Sequence, residues 1–87
     1  MKRNLIITNA MAIAFEASRE NWGSHLTLEV SDHYAELTIF FETKKADADR
    51  KKKIIEHSTS YTPETRVFHL NPCDVWCLMA KWELPES

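Results

Sequence analysis

The spacing of hydrophobic residues changes along the chain, and the first segment has a helical period. On a helical wheel, residues 5–20 separate into an apolar and a polar side. The apolar side carries Ile6, Ile7, Ala10, Met11, Ile13, Ala14, Phe15 and Ala17. This pattern predicts one amphipathic helix that ends near Gly23, the only glycine of the sequence. The alternative is a short strand over residues 5–8 followed by a helix capped by Asn9.

The next segment alternates apolar and polar residues with a period of two. Leu26, Leu28 and Val30 come before the turn Asp32-His33, and Ala35, Leu37, Ile39 and Phe41 come after it. This alternation predicts two half-buried strands joined as an antiparallel hairpin. The intervening polar residues are expected on a sheet face that meets water; they include Thr27, Glu29, Glu36 and Thr38.

The middle of the chain is polar and its secondary structure is ambiguous. Residues 44–53, KKADADRKKK, contain six basic and two acidic side chains, and we expect them to form a solvated loop. The β-branched residues that follow favour a third strand over residues 54–61. A helix over residues 46–55 is the alternative. A turn at Thr62-Pro63 then predicts another strand over residues 66–70.

The last apolar segment is interpreted as a helix that Pro72 opens and that ends at about Glu83, before Pro85. Its apolar side chains cover a wider arc than a helix packed on one sheet needs. The predicted fold class is α+β: a two-layer sandwich in which an antiparallel sheet of three to four strands is flanked by an N-terminal and a C-terminal helix. A length of 87 residues predicts a single compact domain, 1–87.

Charge and motif content remove several classes of function. The chain has 11 Lys and Arg against 13 Asp and Glu, which argues against a surface that is basic throughout. A single glycine excludes a glycine-rich phosphate loop. His69, Cys73 and Cys77 recur every four residues, but they lack the paired ligands of a structural zinc site. Asp74 beside Cys73 opposes a lowered thiol pKa. We therefore expect no enzyme, no cofactor and no metal.

The compartment is predicted from the cysteines and the N-terminal segment. Two cysteines are fewer than a small secreted domain usually carries, so we expect a cytoplasmic protein. Lys2 and Arg3 precede an apolar stretch, but Thr8 and Asn9 interrupt it, which disfavours a cleaved signal peptide. No apolar run reaches the ~18 residues of a membrane span.

Two surfaces then predict two classes of function. Trp76, Trp82 and Met79 on the last helix, with Trp22, are of the types that anchor protein interfaces. They favour a small non-enzymatic module that modulates or inhibits a larger partner protein, with self-association through the last helix as part of this hypothesis. In size and style the chain resembles the small host-directed inhibitors encoded by bacterial viruses.

The alternative is a nucleic-acid-binding protein that uses the basic segment. Its six basic residues are Lys44, Lys45, Arg50, Lys51, Lys52 and Lys53. In this interpretation they hold phosphates, while Phe40, Tyr61 and Phe68 on the neighbouring sheet stack on bases.

Overall fold

A computed structural model describes residues 2–42, 45–58, 60–70 and 74–85 of the chain. In chain order the elements are α1 (Lys2–Arg19), β1 (His25–Val30), β2 (Tyr34–Phe41), α2 (Lys45–Ser58), β3 (Glu64–Leu70) and β4 (Val75–Glu83). The strands form one antiparallel sheet in the order β1-β2-β4-β3. The predicted α+β class with an antiparallel sheet is therefore confirmed.

Helix α1 agrees with the prediction, and its last turn shows how it ends. The backbone N–H of Trp22 donates to the carbonyl of Ala17 at 2.9 Å, and that of Asn21 to Ser18 at 3.2 Å. Asn21 has a φ of 57°, the left-handed conformation of a Schellman motif. The helix therefore ends at Arg19, and Asn21 rather than Gly23 is the left-handed residue that caps it.

The hairpin of β1 and β2 is also confirmed. Thr27 pairs with Thr38, and Glu29 pairs with Glu36. On β2 every second residue is buried, from Ala35 to Phe41. The strands therefore separate an inner face, which packs on the helices, from an opposite face that we call the open face.

The expected loop over residues 44–53 and the expected strand over 54–61 are wrong, because residues 45–58 form α2. Ala48 and Ile55 lie seven residues apart, on one side of the helix, and both are fully buried. Acidic residues one turn away pair with the lysines: Lys45 Nζ lies 3.9 Å from Asp49, and Lys52 Nζ lies 3.7 Å from Glu56. These interactions stabilise a helix in a segment of mainly charged residues. Thr59 lies outside the described residues.

The predicted C-terminal helix is also wrong, because residues 75–83 form β4. This strand lies between β2 and β3, so its side chains have neighbours on both sides, and even on the open face Cys77 is buried and Met79 half-buried. A central strand therefore has an almost continuous apolar sequence, which on a helical wheel looks like a very wide apolar arc. Pro72, expected to open the helix, lies outside the described residues. The strand predicted over residues 66–70 is confirmed as β3.

Both helices pack on the inner face. Helix α1 contacts β1 and β2, whereas α2 contacts β2, β3 and β4. The core between the layers includes Ile6, Ala10, Ile13, Leu37, Ile39, Ile55, Leu78, Ala80 and Trp82. Within the described residues, neither helix is long and apolar enough to cross a membrane.

Candidate functional site

The open face presents its side chains in rows that run across the four strands. One row consists of His25, Phe40, Cys77 and Phe68. The next consists of Thr27, Thr38, Met79 and Arg66, and a third of Glu29, Glu36, Lys81 and Glu64. The face is therefore aromatic and apolar at one end and charged at the other.

The apolar end has large side chains where a water-facing sheet is usually polar. The rings of His25 and Phe40 stack with their centroids 5.8 Å apart. Phe68 keeps 37% of its surface exposed, and Met79 beside it is half-buried. A cluster of this kind on a monomer is typical of a binding surface.

Carboxylates dominate the charged end. The Tyr34 hydroxyl donates to Glu29 Oε1 at 2.9 Å, which raises the pKa of Tyr34. Lys81 Nζ lies 4.7 Å from the centroid of the Tyr34 ring. Since Glu36 and Glu64 lie in the same row as Lys81, this end carries net negative charge and attracts cationic groups.

Cys77 lies in the aromatic row but is not a reactive thiol. Only 2% of its surface is exposed, between its neighbours Phe40 and Phe68. Burial, with a smaller effect from Glu36, raises the pKa of the Cys77 thiol. The thiol therefore stays protonated near neutral pH, and thiolate chemistry is disfavoured there.

The described residues contain no group of three or more side chains suited to hold a metal ion. His69 Nε2 lies 2.9 Å from Asp74 Oδ1. Cys73, which completed the suggested histidine and cysteine spacing, lies outside the described residues. The structure therefore adds nothing in favour of a metal centre among the residues it describes.

The four predicted protein-binding anchors lie in different places. Trp82 is 2% exposed on the inner face, and its Nε1 donates to the Tyr61 carbonyl at 2.8 Å. Trp22 is buried where α1 meets the sheet, and Trp76 packs half-buried beside the core. Met79 lies on the open face, next to the aromatic row. The strand geometry thus separates Met79 from the three tryptophans.

The basic segment lies on the other side of the sheet from the exposed aromatic residues. Helix α2 packs on the inner face, whereas Phe40 and Phe68 lie on the open face. Arg50 pairs with Asp47, and Lys51 Nζ lies 5.0 Å from the centroid of the Trp22 ring. Lys44 lies outside the described residues. The described cations of α2 and these two rings therefore do not form one surface.

A further exposed surface was not predicted. Leu5, Met11 and Phe15 on α1 are 54%, 55% and 70% exposed. The helical wheel assigned Met11 and Phe15 to the buried side. The absence of any charged residue between positions 4 and 15 was the available signal, because a helix with no charged face can be apolar on its solvent side as well.

No protein-family model, no curated protein and no solved structure matches the chain. The arrangement of its own residues is therefore the basis for the function proposed below.

Proposed function

We propose that this chain is a small non-enzymatic protein-binding module that recognises a larger partner protein through the open face of its sheet. The observation that supports this most strongly is that Phe40 and Phe68 flank Cys77 in one row, with Met79 in the next row, on a face that neither helix covers. Apolar side chains that are already fixed by the sheet lose little conformational freedom when they bind.

The size of the open face suits a specific interface of moderate strength. From the spacing of four strands and the rise along each, it measures roughly 20 Å by 25 Å. Specific interfaces bury about 800 Å² of accessible surface on each partner, so this face and its rim are sufficient. By covering a surface of this extent, the module modulates or inhibits its partner through occlusion.

The charges of the open face define the chemistry of the partner. Glu29, Glu36 and Glu64 flank the apolar cluster on one side and outnumber the two cations of the same face, Lys81 and Arg66, of which Arg66 lies 3.8 Å from Glu64. They complement lysine or arginine side chains around an apolar patch on the partner. They also repel phosphates, which disfavours the open face as a platform for nucleic-acid bases.

The experiment is affinity capture from nuclease-treated lysate, with the captured proteins quantified by mass spectrometry. The wild-type chain is compared with Phe68→Glu and Met79→Ala. Ala46→Glu on the exposed side of α2 is the matched control for the added charge. We expect both open-face variants to lose the captured partner by at least about tenfold, as for interface anchors, while the control retains it. Circular dichroism confirms that each variant is folded.

Two results would contradict the proposal. Capture that persists in both open-face variants would place the interface elsewhere on the molecule. Binding that disappears after nuclease treatment and after replacing Lys51, Lys52 and Lys53 with Gln would instead favour the nucleic-acid alternative, with an affinity that falls steeply with salt.

A further inference from the structure

Strand β1 forms an edge of the sheet, and its outer side is free among the described residues. Ser31 N–H donates to the Tyr34 carbonyl, so in an alternating ladder the odd-numbered residues of β1 bond to β2. The even-numbered residues Leu26, Leu28 and Val30 therefore direct their N–H and C=O groups outward. The strand sequence HLTLEV contains neither lysine nor proline, the residues that usually protect an edge from pairing.

The exposed flank of α1 lies above this same edge. Helix α1 contacts β1 and β2, whereas α2 lies over the other side of the sheet. Ala12 and Glu16 line the groove between the helices, together with Ile54 of α2. By helical geometry the opposite flank carries Ile7 and Met11, with Phe15 beside them. An apolar helix flank and an unpaired strand thus face the same direction.

We propose that the chain forms a twofold-symmetric dimer in which β1 pairs antiparallel with β1 of a second copy and the two α1 helices pack across the axis. Thr27 lies at the axis, opposite Thr27 of the second copy. Leu26 then pairs with Leu28 of the second copy, and their outward backbone groups exchange both hydrogen bonds. This association does not depend on the proposed function of the open face.

Hydrogen-bonding complementarity between His25 and Glu29 favours this register. Residues on the same face must be paired, so β1 can shift against its copy only by even steps. With Thr27 at the axis, His25 lies opposite Glu29 of the second copy. A shift by two residues centres the pairing on Leu26 or Leu28 and loses this His25–Glu29 pair, and a register centred on Glu29 places two glutamates opposite each other, which is unfavourable.

The spacing of the helices agrees with the same arrangement. Strands lie about 4.8 Å apart, so the twofold axis of the dimer passes about 2.4 Å outside β1, midway between the two paired β1 strands. Helix α1 contacts both β1 and β2. A helix axis that lies above the midpoint between these two strands is about 2.4 Å from β1, on the side away from the twofold axis. The two helix axes are then about 9.6 Å apart, within the usual range of 8–10 Å for packed helices.

The buried area predicts a weak dimer of stable monomers. Pairing covers the exposed parts of Met11, Phe15 and Val30, together with the β1 edge. This amounts to roughly 500–600 Å² per copy, at the lower end of specific interfaces. We therefore expect a micromolar dissociation constant, and variants of the interface remain folded.

The test is sedimentation equilibrium of the full chain under reducing conditions across a wide concentration range. Thr27→Lys places two lysines opposite each other at the axis. Thr38→Lys on β2, the neighbour of Thr27 on the same face, is the matched control. We expect Thr27→Lys and, independently, Met11→Glu to weaken dimerisation by at least about fivefold, and Thr38→Lys to leave it unchanged.

Three outcomes would overturn the proposed dimer. The first is a wild-type chain that stays monomeric up to its solubility limit. The second is a dimer that neither Thr27→Lys nor Met11→Glu weakens. The third is a dimer that Phe68→Glu dissociates, because that result would assign self-association to the open face. A dimer that survives Phe68→Glu while partner capture is lost supports both proposals separately.

Discussion

Replacing Gly23 with Ala tests how tightly the end of α1 is joined to the sheet. Gly23 has a φ of 70°, and a Cβ at this position would overlap the Phe40 carbonyl oxygen and lie 2.8 Å from Ile39 Cγ2. Ile39 is fully buried, so it cannot move away easily. The same Phe40 carbonyl accepts a hydrogen bond from Ser24 N–H at 2.8 Å. Relief of the overlap therefore disturbs both the core and this bond.

The magnitude follows from these contacts. The left-handed conformation costs a non-glycine residue roughly 1–2 kcal/mol, and weakening the hydrogen bond adds about 1 kcal/mol. With some displacement of Ile39, we expect Gly23→Ala to lower the free energy of unfolding by about 2–4 kcal/mol. For a chain of this length the melting temperature falls by about 10–25 °C.

The assay is urea unfolding followed by circular dichroism, with Asn21→Gly as the control. Asn21 also has a positive φ but belongs to the helix cap, where glycine is favoured, so this control keeps or increases stability. A loss below about 1 kcal/mol for Gly23→Ala would refute the reasoning, because the strain alone accounts for that much.

Two further predictions concern buried side chains. Trp82→Phe removes the hydrogen bond to the Tyr61 carbonyl and part of the ring volume, so we expect urea unfolding to show a loss of about 1–3 kcal/mol; an unchanged midpoint would contradict the buried position. In a Cys73→Ser background, the Cys77 thiol should react with an aromatic disulfide reagent at pH 8 far more slowly in the folded than in the urea-unfolded chain, since burial raises its pKa. Equal reaction rates in the folded and unfolded chain would show that the thiol is exposed. Because the pKa of Cys77 is higher in the folded than in the unfolded chain, the free energy of unfolding should fall as the pH rises from the unfolded pKa of about 8.5 through the folded value.

The elements that the sequence predicts well are those with one buried face. Helix α1 and the hairpin of β1 and β2 each pack on one side, so their apolar residues repeat with the period of the backbone. Among the residues of α2 whose burial is described, 45–57, Ala48 and Ile55 alone are fully buried, and the ion pairs of this helix can be recognised in the sequence only once a helix is assumed. Strand β4 is buried on its inner face and carries the apolar Cys77 and Met79 on its open face, so apolar residues on both faces hide the alternation that would identify a strand.

The candidate site was predicted less well than the fold because its residues depend on strand order. Met79 was expected at an interface, but on a helix with Trp76 and Trp82. The row that joins Phe40 to Phe68 exists because β4 lies between β2 and β3. Local periodicity does not show which distant strands pair, so neither a helical wheel nor an alternating pattern predicts that these two rings lie in one row.

The position of β4 also determines when the fold can form. Strands β2 and β3 touch only through β4, which follows both of them in the chain. During synthesis, α1 and the hairpin can associate early, but β3 has no strand to pair with, and α2 has only its contact with β2, until residues 75–83 have left the ribosome. The nascent chain therefore passes through a stage with an open β2 edge and exposed apolar side chains, the kind of surface that chaperones recognise. Because the last strand makes contacts far apart in sequence, we expect folding on a millisecond or slower timescale.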